Sequence, residues 1–189
     1  MMLGVRHTNR DMPKTADLRV EFDDDDWRRG DIWRPDGVLS CWVTLKLRGA
    51  IVVDYRPVGA NNSAITLVRS LHGSHIAATA ENEDSAEWPM FFCAGDLPNR
   101  CGVILDFSVD HVGDNLVMHS FHRCELDRSA RLTISKRAWF AAVMPFARSV
   151  ARRLPPTKAG VKVRRQPTYR RFRRLLFKEL ETVRPAPGV

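Results

Sequence analysis

Asp110-His111-Val112-Gly113-Asp114-Asn115 concentrates the donor types of a hydrolytic metal site in one short stretch. Carboxylates and imidazole can hold two cations that clamp the attacking and leaving oxygens of an in-line displacement. The same residue types also suit a tight turn, because Asp, Gly and Asn tolerate turn conformations. His72-Gly73-Ser74 pairs an imidazole with a hydroxyl, but acid–base chemistry of that kind needs a second His-x-Ser or His-x-Thr to move the opposite proton. His119-Ser120-Phe121 carries its serine one position too early for that role. His119, His122 and Cys124, together with Cys93 or Cys101, are ligand types that zinc prefers. In a regular strand His119 faces away from His122 and Cys124, so only a bulge would gather them.

The 110–115 segment resembles pieces of the calcineurin-like phosphoesterases, whose Asp-x-His and Gly-Asp elements lie on separate strand ends. Here both fall in one turn and no Gly-Asn-His follows. The resemblance implies a metal-dependent phosphoesterase. His72-Gly73-Ser74 is similar, over those residues alone, to one half of the two-histidine phosphoesterases. No Gly-rich phosphate loop, Gly-x-Ser-x-Gly elbow or cysteine-nucleophile motif occurs. No cofactor and no resident metal are therefore expected.

The elements that would position these residues are mostly strands. Leu18, Val20 and Phe22 alternate with Arg19 and Glu21, and Cys41, Val43, Leu45 and Leu47 alternate with Trp42, Thr44, Lys46 and Arg48. Gly49-Ala50 turns the second strand into an apolar run over residues 51–55, and Pro57, Gly59, Asn61 and Asn62 predict a loop. Residues 63–71 fit either a helix begun at Ser63 or a strand, and β-branched Ile65, Thr66 and Val68 favour the strand. Residues 76–80 would be its partner, and a short strand is expected within 88–94. Val103, Leu105, Phe107 and Val109 alternate with Asp106, Ser108 and Asp110, turn at Gly113-Asp114-Asn115 and return through 116–126, a hairpin. Ser135 is a natural N-cap for a helix reaching Leu154, with Trp139, Val143, Phe146, Val150 and Leu154 inward and a kink at Pro145.

Six to eight short strands and one C-terminal helix predict an α+β fold, an antiparallel β-rich sheet with that helix packed on it. A closed β-barrel with a terminal helix is the rival. The expected division is a disordered 1–17, one domain over 18–154 and a basic, Pro-interrupted arm over 155–189. At 189 residues the chain is long enough for one real core, and no apolar run approaches a membrane span. The first residues lack the apolar stretch of a signal peptide, so a cytoplasmic location is expected. The four cysteines show no metal or disulfide spacing and are expected as reduced, buried thiols, although the 93–101 spacing permits a bridge.

Charge divides the chain. From Arg148 onward thirteen basic residues stand against two acidic ones, a net of +11 in a chain of net +8, which leaves −3 for residues 1–147. Clustered Lys and Arg release condensed counterions when they meet phosphates, which points the arm at nucleic acid or another polyanion, an anionic membrane surface included. Tyr169, Phe172, Leu176, Leu180 and Val183 recur at three and four residues, an apolar stripe on a helix capped by Thr168 after the break at Pro167. Its early cations and late Glu179 and Glu181 oppose the helix dipole, so alone the helix is weak.

Arg164, Arg165, Arg170, Arg171, Arg173, Arg174 and Lys178 are the expected phosphate contacts, with Tyr169 and Phe172 either stacking on bases or packing on the body. Trp27 and Trp33 flank Arg28-Arg29, where they would stack bases or anchor edge loops. The leading expectation is a non-enzymatic binding module that contacts nucleic-acid phosphates through the arm. The alternative is an inhibitor or immunity-type protein whose acidic loops block a protein partner: Asp23, Asp24, Asp25 and Asp26 with Trp27, or residues 81–87. The metal-dependent phosphoesterase is the second alternative.

Overall fold

The computed structural model describes residues 15–22, 39–77, 89–92, 104–154 and 167–183. The fold is α+β with two antiparallel sheets, rather than the expected one. The first is β1 (Ala16–Phe22), β2 (Ser40–Leu47) and β3 (Ala50–Gly59), in that order. The second is β4 (Phe91–Phe92), β5 (Ile104–Val112), β6 (Asn115–His122) and β7 (Leu132–Ser135). Three helices complete the described residues: α1 (Ala60–Arg69), α2 (Lys136–Arg153) and α3 (Pro167–Thr182).

Turn chemistry sets both hairpins. Arg48 and Gly49 both have positive φ, 52° and 81°, as a two-residue connection matched to strand twist requires, and Leu47 pairs with Ala50. Gly113, at φ 55°, takes the first central position of the other hairpin, where Val112 pairs with Asn115. The alternating residues Leu105, Phe107 and Val109 are buried as expected, and Leu116, Met118 and Phe121 join them in the core.

The segment expected as loop and then strand is instead the end of β3 and the whole of α1. Pro57 and Gly59 belong to β3, where an edge position tolerates the missing donor of proline. Asn61 and Asn62 lie in the first turn of α1, with the Asn61 Oδ1 accepting the Leu39 N–H at 2.9 Å. Residues 63–69 are helical because burial all round outweighs β-branched propensity: Ser63, Ala64, Ile65, Thr66, Leu67 and Val68 are all buried. Residues 76 and 77 do not form a strand, and only His75 bridges to Val109.

Helix α2 starts where its cap predicts. The Ser135 Oγ accepts the Ala138 N–H at 3.1 Å, and Trp139, Val143, Phe146, Val150 and Leu154 are buried. The helix runs on through Pro145, whose ring is exposed. The Trp139 indole donates to Ser70 Oγ at 2.8 Å, which in turn donates to the Leu67 carbonyl at 2.7 Å, joining α2 to the end of α1. Phe107 packs edge-on to Trp139 at 6.3 Å and against Phe121 at 5.5 Å.

Helix α3 begins at Pro167 itself, a residue preorganised for a first helical position, so Thr168 lies inside the helix. Phe172 and Leu176 are buried in the common core, and Leu175, Leu180 and Val183 pack against it. Helix α3 lies against α1 and α2. Leu176→Ala should lower unfolding free energy by about 2–5 kcal/mol in urea titration, and Ser135→Ala by about 1 kcal/mol. An unchanged midpoint for Leu176→Ala would mean that α3 is not docked in solution.

Candidate polyanion-binding face

Residues 170, 173, 174, 177, 178 and 181 recur at helical spacing and form the face of α3 opposite its buried stripe. Arg170, Arg173, Arg174, Phe177, Lys178 and Glu181 line a groove of about 710 Å³, four cations to one carboxylate. The Arg173 guanidinium lies 4.5 Å from the centroid of the Phe177 ring, an electrostatic attraction to the ring face that also presents a flat cationic surface. The other acidic residue of the helix is turned away. Glu179 accepts from Arg69 Nε at 2.8 Å and lies 3.6 Å from His72 Nε2, and only 12% of its side chain is exposed. Docking therefore removes one of two carboxylates from the cationic face.

Of the expected contact residues, Arg170, Arg173, Arg174 and Lys178 come together at this groove. Arg171 is exposed on the helix but does not line the groove. Phe172, for which stacking and packing were both open, packs: it is 6% exposed. Tyr169 belongs to α3, with its side chain outside the described residues. Arg164, Arg165, Asp23, Asp24, Asp25, Asp26, Trp27, Trp33 and residues 81–87 lie outside the described residues, as do Cys93 and Cys101. Phe177 is the groove residue that the sequence reading passes over. Its four-residue spacing from Arg173 is the signal that would have found it.

The phosphoesterase constellation does not converge. His111 Nε2 donates to the carbonyls of Ser70 and Gly73, each at 3.1 Å, closing the turn after α1. Asp110 Oδ2 bonds His119 Nε2 at 2.9 Å instead, so its carboxylate and the neighbouring imidazole serve different partners. His72 belongs to the Glu179 contact. Among the described residues no three His, Cys, Asp or Glu side chains gather to hold a metal.

The bulge that the zinc reading needed is present. Ser120 has φ 54°, and Ser108 pairs with His119 while Asp106 pairs with His122, which brings both imidazoles to one strand face. His119 nevertheless bonds Asp110 and Ser120, and His122 Nδ1 accepts from Arg128 at 3.3 Å. The Cys124 thiol donates toward the Asp106 and His122 carbonyls. Burial pushes its pKa up to about 12, with the Asp106 carboxylate adding to the effect, so it is a thiol at neutral pH. Cys41 is likewise pushed up to about 12 by burial, slightly opposed by Arg153.

A buried hydrogen-bonded pair lies where alternation predicts a solvated face. Asp106 and Ser108 are 0% and 6% exposed, because the chain around His75 covers them. Asp106 Oδ1 bonds His75 Nε2 at 2.9 Å and accepts the N–H groups of Met90 and Phe107 at 2.9 and 3.0 Å. Ser108 Oγ accepts the Ala77 N–H at 3.0 Å, and His75 exchanges backbone bonds with Val109. Several separate pieces of chain are thereby fastened to β5. These bonds give buried donors of the neighbouring chain their acceptors, and the pair does not open to solvent.

Comparison with protein-family models, with curated proteins and with solved structures returns no match to this chain.

Asp106→Ala should destabilise the fold by about 2–5 kcal/mol in urea titration, because the buried Met90 and Phe107 N–H groups lose their acceptor. In a Cys93→Ser/Cys101→Ser chain, Cys41 and Cys124 should stay silent to a thiol reagent at mildly alkaline pH and react together on unfolding. Rapid modification of Cys41 in the native chain would contradict its burial.

Proposed function

We propose that this chain is a non-enzymatic binding module that holds a polyanion, nucleic acid foremost, against the outer face of α3. The observation that carries the reading is the segregation of charge by docking: four cations surround the groove at Phe177 against Glu181 alone, while Glu179 is held by Arg69 and His72. Phosphate contacts of this kind give affinity and registration with little sequence preference. Arg173 over Phe177 adds a planar surface on which an unpaired base can stack. Arg164 and Arg165 would extend the contact.

Removing the tail after Leu154 would take Phe172 and Leu176 out of the core, so charge substitution is the cleaner test. The measurement is fluorescence anisotropy with short single- and double-stranded DNA and RNA at two salt concentrations. The native chain should show log K falling with log salt by about 0.9 per duplex phosphate contacted. Arg170→Ala/Arg174→Ala/Lys178→Ala should weaken binding to all sequences and reduce that slope by about three. Undiminished binding by the triple variant, or none by the native chain, would sink the reading.

A second reading, a protein that blocks a partner protein, draws on the open face of the first sheet. Trp42 and Tyr55 stack there with ring centroids 4.8 Å apart, 38% and 51% exposed. Large aromatics of this kind are typical anchors of protein interfaces. Asp23, Asp24, Asp25, Asp26 and Trp27 would supply its acidic edge. On this reading Tyr55→Ala abolishes partner binding and the α3 triple variant leaves it intact.

A further inference from the structure

Phosphate binding by α3 leaves Glu181 unexplained. A carboxylate beside Arg170, Arg173, Arg174 and Lys178 repels a polyanion, yet it lines the same groove. Glu179, the other acidic residue of the helix, is taken up by Arg69 and His72. Glu181 is exposed, and among the described residues no side chain pairs with its carboxylate. It is an acceptor held ready in a cationic groove.

Helical spacing gives that acceptor defined neighbours. Residues 170, 174 and 178 recur at steps of four, and so do 173, 177 and 181, which makes two columns side by side on the outer face. The first column is Arg170, Arg174 and Lys178, all exposed and all cationic. Its charges stand about 6 Å apart along the axis, comparable with successive phosphates on one nucleic-acid strand. The second column reads Arg173, Phe177, Glu181: a guanidinium 4.5 Å from a ring centroid, then a carboxylate one turn on. Arg173 and Phe177 are half-buried, so the flat part of the groove is recessed between exposed charges.

Resting on the polyanion reading of α3, we infer that the groove takes a single strand of nucleic acid and that Glu181 selects guanine at the stacked position. The first column holds successive phosphates, an unpaired base stacks at Arg173 and Phe177, and Glu181 accepts from the edge of that base. Guanine offers a carboxylate two adjacent donors, its ring N–H and its amino group, which match the two carboxylate oxygens. Adenine and cytosine offer an amino group beside a ring nitrogen whose lone pair repels the carboxylate. Thymine and uracil offer one N–H between two carbonyls. In a duplex these edges are already paired, so the base must be free. Glu181 thus weakens the hold on every strand and distinguishes one base, as a specificity device does.

The test is fluorescence anisotropy of the full chain with labelled thymine oligonucleotides about six residues long, enough to pass the first column. One central base is replaced in turn by guanine, hypoxanthine, adenine or cytosine. The guanine strand should bind about tenfold more tightly than the all-thymine strand. Hypoxanthine, which lacks the amino donor, should lose most of that gain, and guanine inside a hairpin stem should show none. Glu181→Ala should bind the all-thymine strand more tightly than the native chain does, because a repulsion is gone, and should bind all five strands alike. Phe177→Ala should weaken the guanine strand about tenfold.

Equal binding of the five strands by the native chain, or a guanine preference that survives Glu181→Ala, overturns the inference while polyanion binding stands. An advantage kept inside the hairpin stem overturns it too. Binding of none of the strands at low salt removes the polyanion reading and this selectivity with it.

Discussion

Helix α1 is buried on all sides, and the other layers are fixed by what its polar groups require. Eight of its ten residues are buried, so water cannot satisfy the groups at its ends. At the start, the Ala60 N–H meets the Leu39 carbonyl and Asn61 receives the Leu39 N–H, which ties α1 to the entry of β2. At the end, His111 donates to the Ser70 and Gly73 carbonyls and so binds the β5 strand to the turn after α1. Ser70 accepts from Trp139 of α2, and Arg69 donates to Glu179 of α3. One short helix therefore couples both sheets to the two remaining helices through hydrogen bonds that would each cost free energy if left unmade.

The same burial explains what the sequence hid. The β5–β6 hairpin and the capped α2 are legible because their signals are local: alternation broken by Gly113, and Ser135 followed by apolar residues at helical spacing. Helix α1 is short and buries even its polar Asn61, Ser63 and Thr66, and Ile65, Thr66 and Val68 tilt propensity toward a strand. Pattern also fails at Asp106 and Ser108, where alternation is regular but both strand faces are covered. The division into two sheets is hidden for a related reason, since strand count does not say which strands pair across an intervening buried helix. At the candidate face, the cationic residues and the apolar stripe are legible by spacing. The inward turn of Glu179 is not, because it depends on Arg69, 110 residues away in sequence.

Two positive-φ residues in strands show what local strain achieves here. Tyr55, at φ 42°, sits in a bulge between the Val53–Leu45 and Arg56–Val43 pairs, with its N–H bonded to Thr44 Oγ1 at 3.2 Å. A bulky residue in this region costs on the order of 1–3 kcal/mol. The bulge aims the ring at Trp42 and the hydroxyl at Glu21, and that bond, followed by burial and the nearby carboxylate charge, raises the phenol pKa. Ser120 is the counterpart in β6, where the bulge reverses the facing of His119 relative to His122. In the first sheet the strain builds an exposed aromatic surface, and in the second it builds a hydrogen-bonded surface of Asp110, His119 and Ser120.

Helix α3 is a contest between burial and charge, and the magnitudes decide it. Each cation in its first turns costs about 0.3–1 kcal/mol against the helix dipole, and neighbouring arginines at i, i+4 add a similar repulsion. Burying Phe172 and Leu176 contributes about 1.5–3 kcal/mol apiece, and further apolar contact comes from Leu175, Leu180 and Val183. Docking wins, but it does so by holding like charges together on the outer face. An anion that neutralised them would relieve the very repulsion that docking maintains, so on the proposed function ligand binding and helix docking would stabilise each other. A solvated, freely moving tail would spread its charges apart and have no such repulsion to release. On the proposed function, packing of the inner stripe is the condition under which the outer face would attract a polyanion.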